Sequence, residues 1–152
     1  MCAILDNSVR DKVFRDEPSP ANRDFLKWIE AGRGRLVIGG EVTRELSKKE
    51  KVRKWLGEAE MLGIVKVMDD KIVDAKTADL KNNKRCQSDD EHVIALALES
   101  GARLLHAKDD DLEEDFGNPD LINNPSGKLY PNSRPQGGHL QWLINNQDDL
   151  CR

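Results

Sequence analysis

Cysteine is scarce in this chain, with only Cys2, Cys86 and Cys151. An odd, scattered set argues against a disulfide framework. No CxxC pair occurs, so a zinc site lacks its usual ligand spacing. Reduced thiols are the simplest reading. Long apolar runs are missing as well. Stretches such as Val93 to Leu98 fall far short of the roughly 20 residues that a membrane helix needs. The N-terminus shows no basic region followed by an apolar stretch, so no signal peptide is visible. A cytoplasmic protein without membrane association is therefore expected. A positive balance is also absent: the net charge is −4, whereas nucleic-acid binders are often basic.

What is present fits one soluble globular domain. The chain has 152 residues, 38 % of them hydrophobic and 34 % charged, which is enough to bury a core without staples. The charges are segregated. Lys48, Lys49, Lys51, Arg53 and Lys54 cluster, as do Lys81, Lys84 and Arg85. Acidic residues crowd at Asp89-Asp90-Glu91, Asp109 to Asp111 and Glu113 to Asp115. Such patches suit a protein that meets phosphates with one set and metal ions with the other, although solvated surface explains any single cluster.

Ala3-Ile4-Leu5 reads as a buried strand. Ser19-Pro20 predicts a helix start, Phe25, Trp28 and Ile29 share a face, and Gly32 ends the helix. Leu36 to Ile38 forms a second strand, broken by Gly39-Gly40. One helix is expected from about Glu41, with Val42, Leu46, Val52, Trp55, Leu56 and Ala59 on its apolar side and Gly63 at its end. Ile64 to Met68 is the third strand. A weaker helix follows near Ile72 to Leu80. Ser88 and Glu91 fit a capping box opening a helix that is apolar on nearly all sides and stops at Gly101. Arg103 to His106 is the fourth strand. This alternation predicts a parallel sheet covered by helices. From Gly117 the texture becomes rich in Asn, Pro and Gly, with Leu140 to Ile144 as a short terminal helix or strand. The reading is a domain over 1–116 and a loop-rich extension over 117–152 that packs on or beside it.

In an open parallel sheet, ligands bind beyond the carboxyl ends of the strands. Asp6 follows the first strand, Asp109 to Asp111 follow the fourth, and Asp90 lies in the first turn of the capped helix. Glu45 sits early in the helix after the second strand. Converging carboxylates repel one another unless protonated or bridged by a cation, and their oxygens suit Mg²⁺ or Mn²⁺. Each residue also has a plainer reading. Asp6 and Asp90 could serve as caps, Glu45 could pair with Lys49 on a helix surface, and Asp109 to Asp111 could be a turn.

Four segments carry a resemblance. Ile4-Leu5-Asp6-Asn7-Ser8-Val9, Glu41-Val42-Thr43-Arg44-Glu45-Leu46, Asp90-Glu91-His92-Val93-Ile94-Ala95-Leu96-Ala97 and Leu104 to Leu112 resemble the motifs of PIN-domain ribonucleases, of the toxin-like, VapC-type branch. The likeness covers roughly residues 1–116. It departs at Ala107, where the family often carries Thr or Ser.

The resemblance implies a three-layer α/β/α fold around a mostly parallel sheet of four or five strands. It implies that Asp6, Asp90 and Asp109 bind Mg²⁺ or Mn²⁺, with Glu45 direct or through water and Asp111 auxiliary. Metal-assisted attack of water on an RNA phosphodiester would leave a 5′-phosphate and a 3′-hydroxyl. Lys48, Lys49, Arg53 and Lys84 are the candidate phosphate contacts. The implied partners are RNA, or single-stranded DNA through the same chemistry, an antitoxin protein and a second copy of the chain.

Other residues invite other readings. His92 reads as packing or a local hydrogen bond, His106 as structural, and Trp28 and Trp55 as core or dimer packing. A phosphatase related to the haloacid dehalogenases would need a second aspartate two residues after the first, and Ser8 stands there. A PIN-like module that binds RNA or protein without cutting is the rival from another class.

Overall fold

The computed structural model describes residues 1–131 and 138–146. Five parallel strands form one sheet: β1 (Cys2–Leu5), β2 (Arg35–Ile38), β3 (Val65–Val67), β4 (Leu104–His106) and β5 (Lys128–Tyr130). Their order is β3-β2-β1-β4-β5. The α/β class and the parallel sheet agree with the sequence reading. β1 is buried along its whole length, as a central strand covered on both faces must be.

The chain runs outward from β1 through β2 to β3, then crosses back to place β4 on the other side of β1. The β1/β4 boundary is thus the topological switch point, where an open sheet leaves a crevice beyond its strand ends. Asp6 N donates to the His106 carbonyl at 2.9 Å, extending that pairing one residue past the strand.

Between β1 and the first long helix, the chain forms a 3-10 turn (Asn7–Val9) and the short α1 (Arg10–Val13), neither of which the sequence reading anticipates. Helix α2 (Pro20–Glu30) starts as expected, with the Ser19 hydroxyl accepting from Asn22 N. Its buried face carries Phe25, Trp28 and Ile29.

The single helix expected after β2 is two helices, α3 (Gly40–Leu46) and α4 (Glu50–Met61). The reason is tertiary. The Arg10 guanidinium donates to the Glu45 carbonyl at 2.8 Å, which a continuous helix would reserve for Lys49 N. The weak segment after β3 is a full helix, α5 (Asp70–Asn83), capped by the Asp69 carboxylate on Lys71 N. Helix α6 (Glu91–Ser100) is apolar and almost wholly buried. Gly101, in the left-handed region, ends it. Helix α7 (Asp110–Gly117) follows β4.

The tail is more than a loop-rich annex. β5 pairs with β4 in register Leu105↔Leu129, and α8 (His139–Asn145) packs on α2. Phe25, His106, Tyr130, His139 and Trp142 form a chain of ring contacts beneath them. The Tyr130 hydroxyl donates to the Ala21 carbonyl, tying the last strand to the start of α2.

The expectation of three reduced thiols is overturned: Cys2 is disulfide-bonded. Cys86 is free, and burial pushes its thiol up to about 11, which disfavours the thiolate at neutral pH. Cys151 lies outside the described residues. Among the described residues no helix is long and apolar enough to cross a membrane.

Two predictions follow from the packing. A Cβ at Gly34 would lie 2.2 Å from a ring carbon of the fully buried Trp28. Gly34→Ala should therefore destabilise the fold by about 1–3 kcal/mol, read as a lower urea midpoint with unchanged slope. His106 lies 2.7 Å from Asn22 Oδ1 through Nε2, and burial holds its ring down at about 4. The unfolded chain binds the extra proton between the ordinary histidine value and about 4, so stability falls as pH drops through that window, by up to about 3 kcal/mol. In NMR the His106 ring signals should not titrate above pH ~5, which is well below the ordinary histidine range.

Candidate functional site

Asp6 leaves the end of β1 and turns at once into the 3-10 turn. Its Oδ2 accepts from Ser8 N at 2.9 Å, so it does cap, but only with one oxygen. The residue is buried, 6 % exposed. The Ser8 hydroxyl in turn accepts from Lys108 N at 3.0 Å. That bond joins the loop after β1 to the loop after β4, beside the position where Ala107 offers no hydroxyl. Asp109 caps α7 through Oδ1, which accepts from Leu112 N at 3.0 Å. Asp6 and Asp109 thus each commit one oxygen to the backbone.

Asp90 differs from the expectation. Helix α6 begins at Glu91, and Asp90 occupies the N-cap position, yet its side chain makes no capping hydrogen bond. The capping box does not form. Instead the Ser88 hydroxyl accepts from Asp90 N at 3.3 Å. The carboxylate that could have capped the helix faces other acids. Burial raises the Asp90 carboxyl to about 6, and the charge of Asp6 adds to that. His92 opposes the rise, while Asp109 and Glu45 reinforce it. Asp6, Asp109 and Glu45 therefore all lie within electrostatic reach of Asp90.

The loop that presents Asp90 is held from below by a residue the sequence reading did not single out. Asp115, 2 % exposed, accepts from Gln87 N at 3.0 Å and from Ser88 N at 2.9 Å. A buried carboxylate bound to two backbone amides is well compensated. In the sequence it looks like one more member of an acidic run on α7.

Glu45 does not pair with Lys49. Its Oε1 lies 2.8 Å from Nε2 of His92. Lys49 reaches Asp11 instead, at 3.8 Å, while remaining well exposed. The tightest group of candidate metal ligands among the described residues is Asp6, Asp90 and His92, whose ligand atoms all lie within 4.8 Å of one another. His92 is buried, as its packing role implies, and it also stands in that group. Asp111 is exposed in the first turn of α7, outside that group.

The basic candidates remain at the surface. Lys48 and Lys49 lie in the break between α3 and α4, Arg53 one turn further on, and Lys84 at the left-handed end of α5. No family model matches the chain. Comparison with curated proteins and with solved structures likewise found no significant match.

The arrangement suits a divalent cation. Asp6 joins Asp90 within ligand distance, Asp109 and Glu45 act on Asp90 from outside that group, and no Lys or Arg is among the groups acting on it; oxygen-rich sets of this kind suit Mg²⁺ or Mn²⁺. In the absence of metal their repulsion costs stability. Asp90→Asn should therefore be more stable than wild type at pH ~7.5 in EDTA, by about 1–2 kcal/mol after allowing for partial exposure. A carboxyl raised to about 6 contributes stability at low pH that is lost as pH rises through 6. The difference between the two proteins should accordingly shrink as pH falls from about 6 and be lost at pH ~3, below the ordinary aspartate value, where Asp90 is neutral in both states. Excess Mn²⁺ at pH ~7.5 should reverse the ranking. Melting curves of both proteins over that pH range, with EDTA and with Mn²⁺, test this.

Proposed function

We propose that this protein is a metal-dependent endoribonuclease of the PIN type, hydrolysing RNA phosphodiester bonds. One observation carries the reading: Asp90, at a helix N-terminus where its side chain could cap, leaves the cap unmade and sits among Asp6, Asp109 and Glu45. A structural carboxylate such as Asp115 has both of its oxygens bound by backbone amides. A carboxylate left without a cap bond among acids of like charge, at the switch point of a parallel sheet, fits a cation-dependent hydrolase.

In this reading Asp6, Asp90 and Asp109 hold the ion, with Glu45 beside them. A divalent cation bound there makes water more acidic and neutralises charge on phosphoryl oxygens. The chain's own residues fix the geometry. Ser8 locks the β1 loop to the β4 loop, and Arg10 holds the end of α3 that carries Glu45. Asp115 fixes the turn before Asp90. Lys48, Lys49, Arg53 and Lys84 are the proposed phosphate contacts, each exposed at the surface. The toxin role, the antitoxin partner and the second copy rest on the motif resemblance alone.

The test is cleavage of a mixed pool of end-labelled RNAs and single-stranded DNAs with Mn²⁺, with Mg²⁺ and with EDTA. The expected result is metal-dependent cutting of RNA, abolished by EDTA and reduced at least about a hundredfold by Asp90→Asn. Cutting of DNA alone would make it a deoxyribonuclease. Metal-independent RNA binding without cutting would make it a binding module, and release of terminal phosphate alone would make it a phosphatase.

A further inference from the structure

The four acids leave one neighbour unexplained. His92 lies in the first turn of α6, two residues after Asp90. It is 8 % exposed. Its Nε2 is fully buried and, among the described residues, has no hydrogen-bond partner. The Glu45 carboxylate is only 2.8 Å from that atom, so the contact has the distance of an ion pair but not the direction of a hydrogen bond. Distance alone would make the two a buried pair. Direction says that the ring nitrogen is not aimed along that contact, and a buried nitrogen without a directed bond is costly. A ring nitrogen also falls within 4.8 Å of carboxylate oxygens of both Asp6 and Asp90.

An imidazole changes what such a site selects. Mg²⁺ prefers oxygen ligands at near-ideal octahedral geometry. Imidazole suits transition ions, and affinity for mixed nitrogen and oxygen sites follows the transition-metal series rather than favouring Mg²⁺. We propose that His92 is a direct ligand of the divalent ion, through a ring nitrogen beside the Asp6 and Asp90 carboxylates, and that it makes the centre select a transition ion such as Mn²⁺ over Mg²⁺. The inference rests on the metal-centre reading above and goes beyond it in ligand and in ion. In this arrangement the neutral ring of His92 would supply a nitrogen lone pair to the ion beside the Asp6 and Asp90 carboxylates.

The test is pulsed electron paramagnetic resonance of the untagged, full-length protein loaded with one equivalent of Mn²⁺. The expected spectrum shows ¹⁴N modulation from a directly bound imidazole. The modulation should vanish in His92→Gln, whose fold is checked by circular dichroism and melting. His92→Gln should still bind Mn²⁺ by its carboxylates, at least about tenfold more weakly. A large excess of Mg²⁺ should displace Mn²⁺ from His92→Gln but not from wild type. Bound Mn²⁺ without nitrogen modulation in wild type would overturn the inference while leaving the acidic metal centre standing. Failure of wild type to bind Mn²⁺ at all would overturn both. If His92→Gln does not fold, the wild-type spectrum alone decides, with uniform ¹⁵N labelling confirming the nitrogen origin.

Discussion

The parallel pairing of β1 with β4 is the constraint on which the rest depends. These strands are far apart in sequence and adjacent in space. Their adjacency brings the loop after Leu5 against the loop after His106, and two bonds fasten them: Asp6 N to the His106 carbonyl and Lys108 N to the Ser8 hydroxyl. Without that seam Asp6 and Asp109 would be remote surface aspartates. With it both lie close enough to Asp90 for their charges to oppose its ionisation.

The electrostatic cost of the site is borne by the core around it. β1 and α6 are among the most thoroughly buried elements, and they flank the acids directly. The compensated polar groups are placed to hold loops rather than to neutralise charge: Asp115 under the Ser88 turn, Arg10 at the end of α3, Asn22 against His106. Acids that repel one another on rigid supports cannot relax apart. That is the condition under which a cation gains most by entering.

Much of this was legible from local chemistry. Ser19-Pro20 marked a helix start, Gly101 an end, and the run from Val93 to Leu98 a buried helix. Asp6, Glu45, Asp90 and Asp109 could be collected because each follows or adjoins a readable element. What escaped depends on distant partners. The break at Ser47 to Lys49 reflects Arg10 taking the Glu45 carbonyl, and no local residue announces it. β5 has three residues next to a proline, too short for periodicity, and it exists because β4 offers it an edge. Asp115 looked like surface charge because its two amide partners lie 27 and 28 residues away. His92 had a signal, its spacing two residues from Asp90, but only the fold shows Glu45 across from it. The pairing of Cys2 had no spacing pattern to disclose it.

The position of β5 also bears on how the chain is made. β4 is inserted between β1 and β5, and β5 is contributed by residues that follow every one of the predicted acids. During synthesis, all four acids leave the ribosome before the strand that closes this side of the sheet. Until Tyr130 emerges, β4 presents an open edge able to pair with any extended segment nearby. The last strand and the helix packed on α2 are therefore set in place after the acids have been made. A nascent chain stalled before that point would hold the whole acidic set on an unprotected sheet.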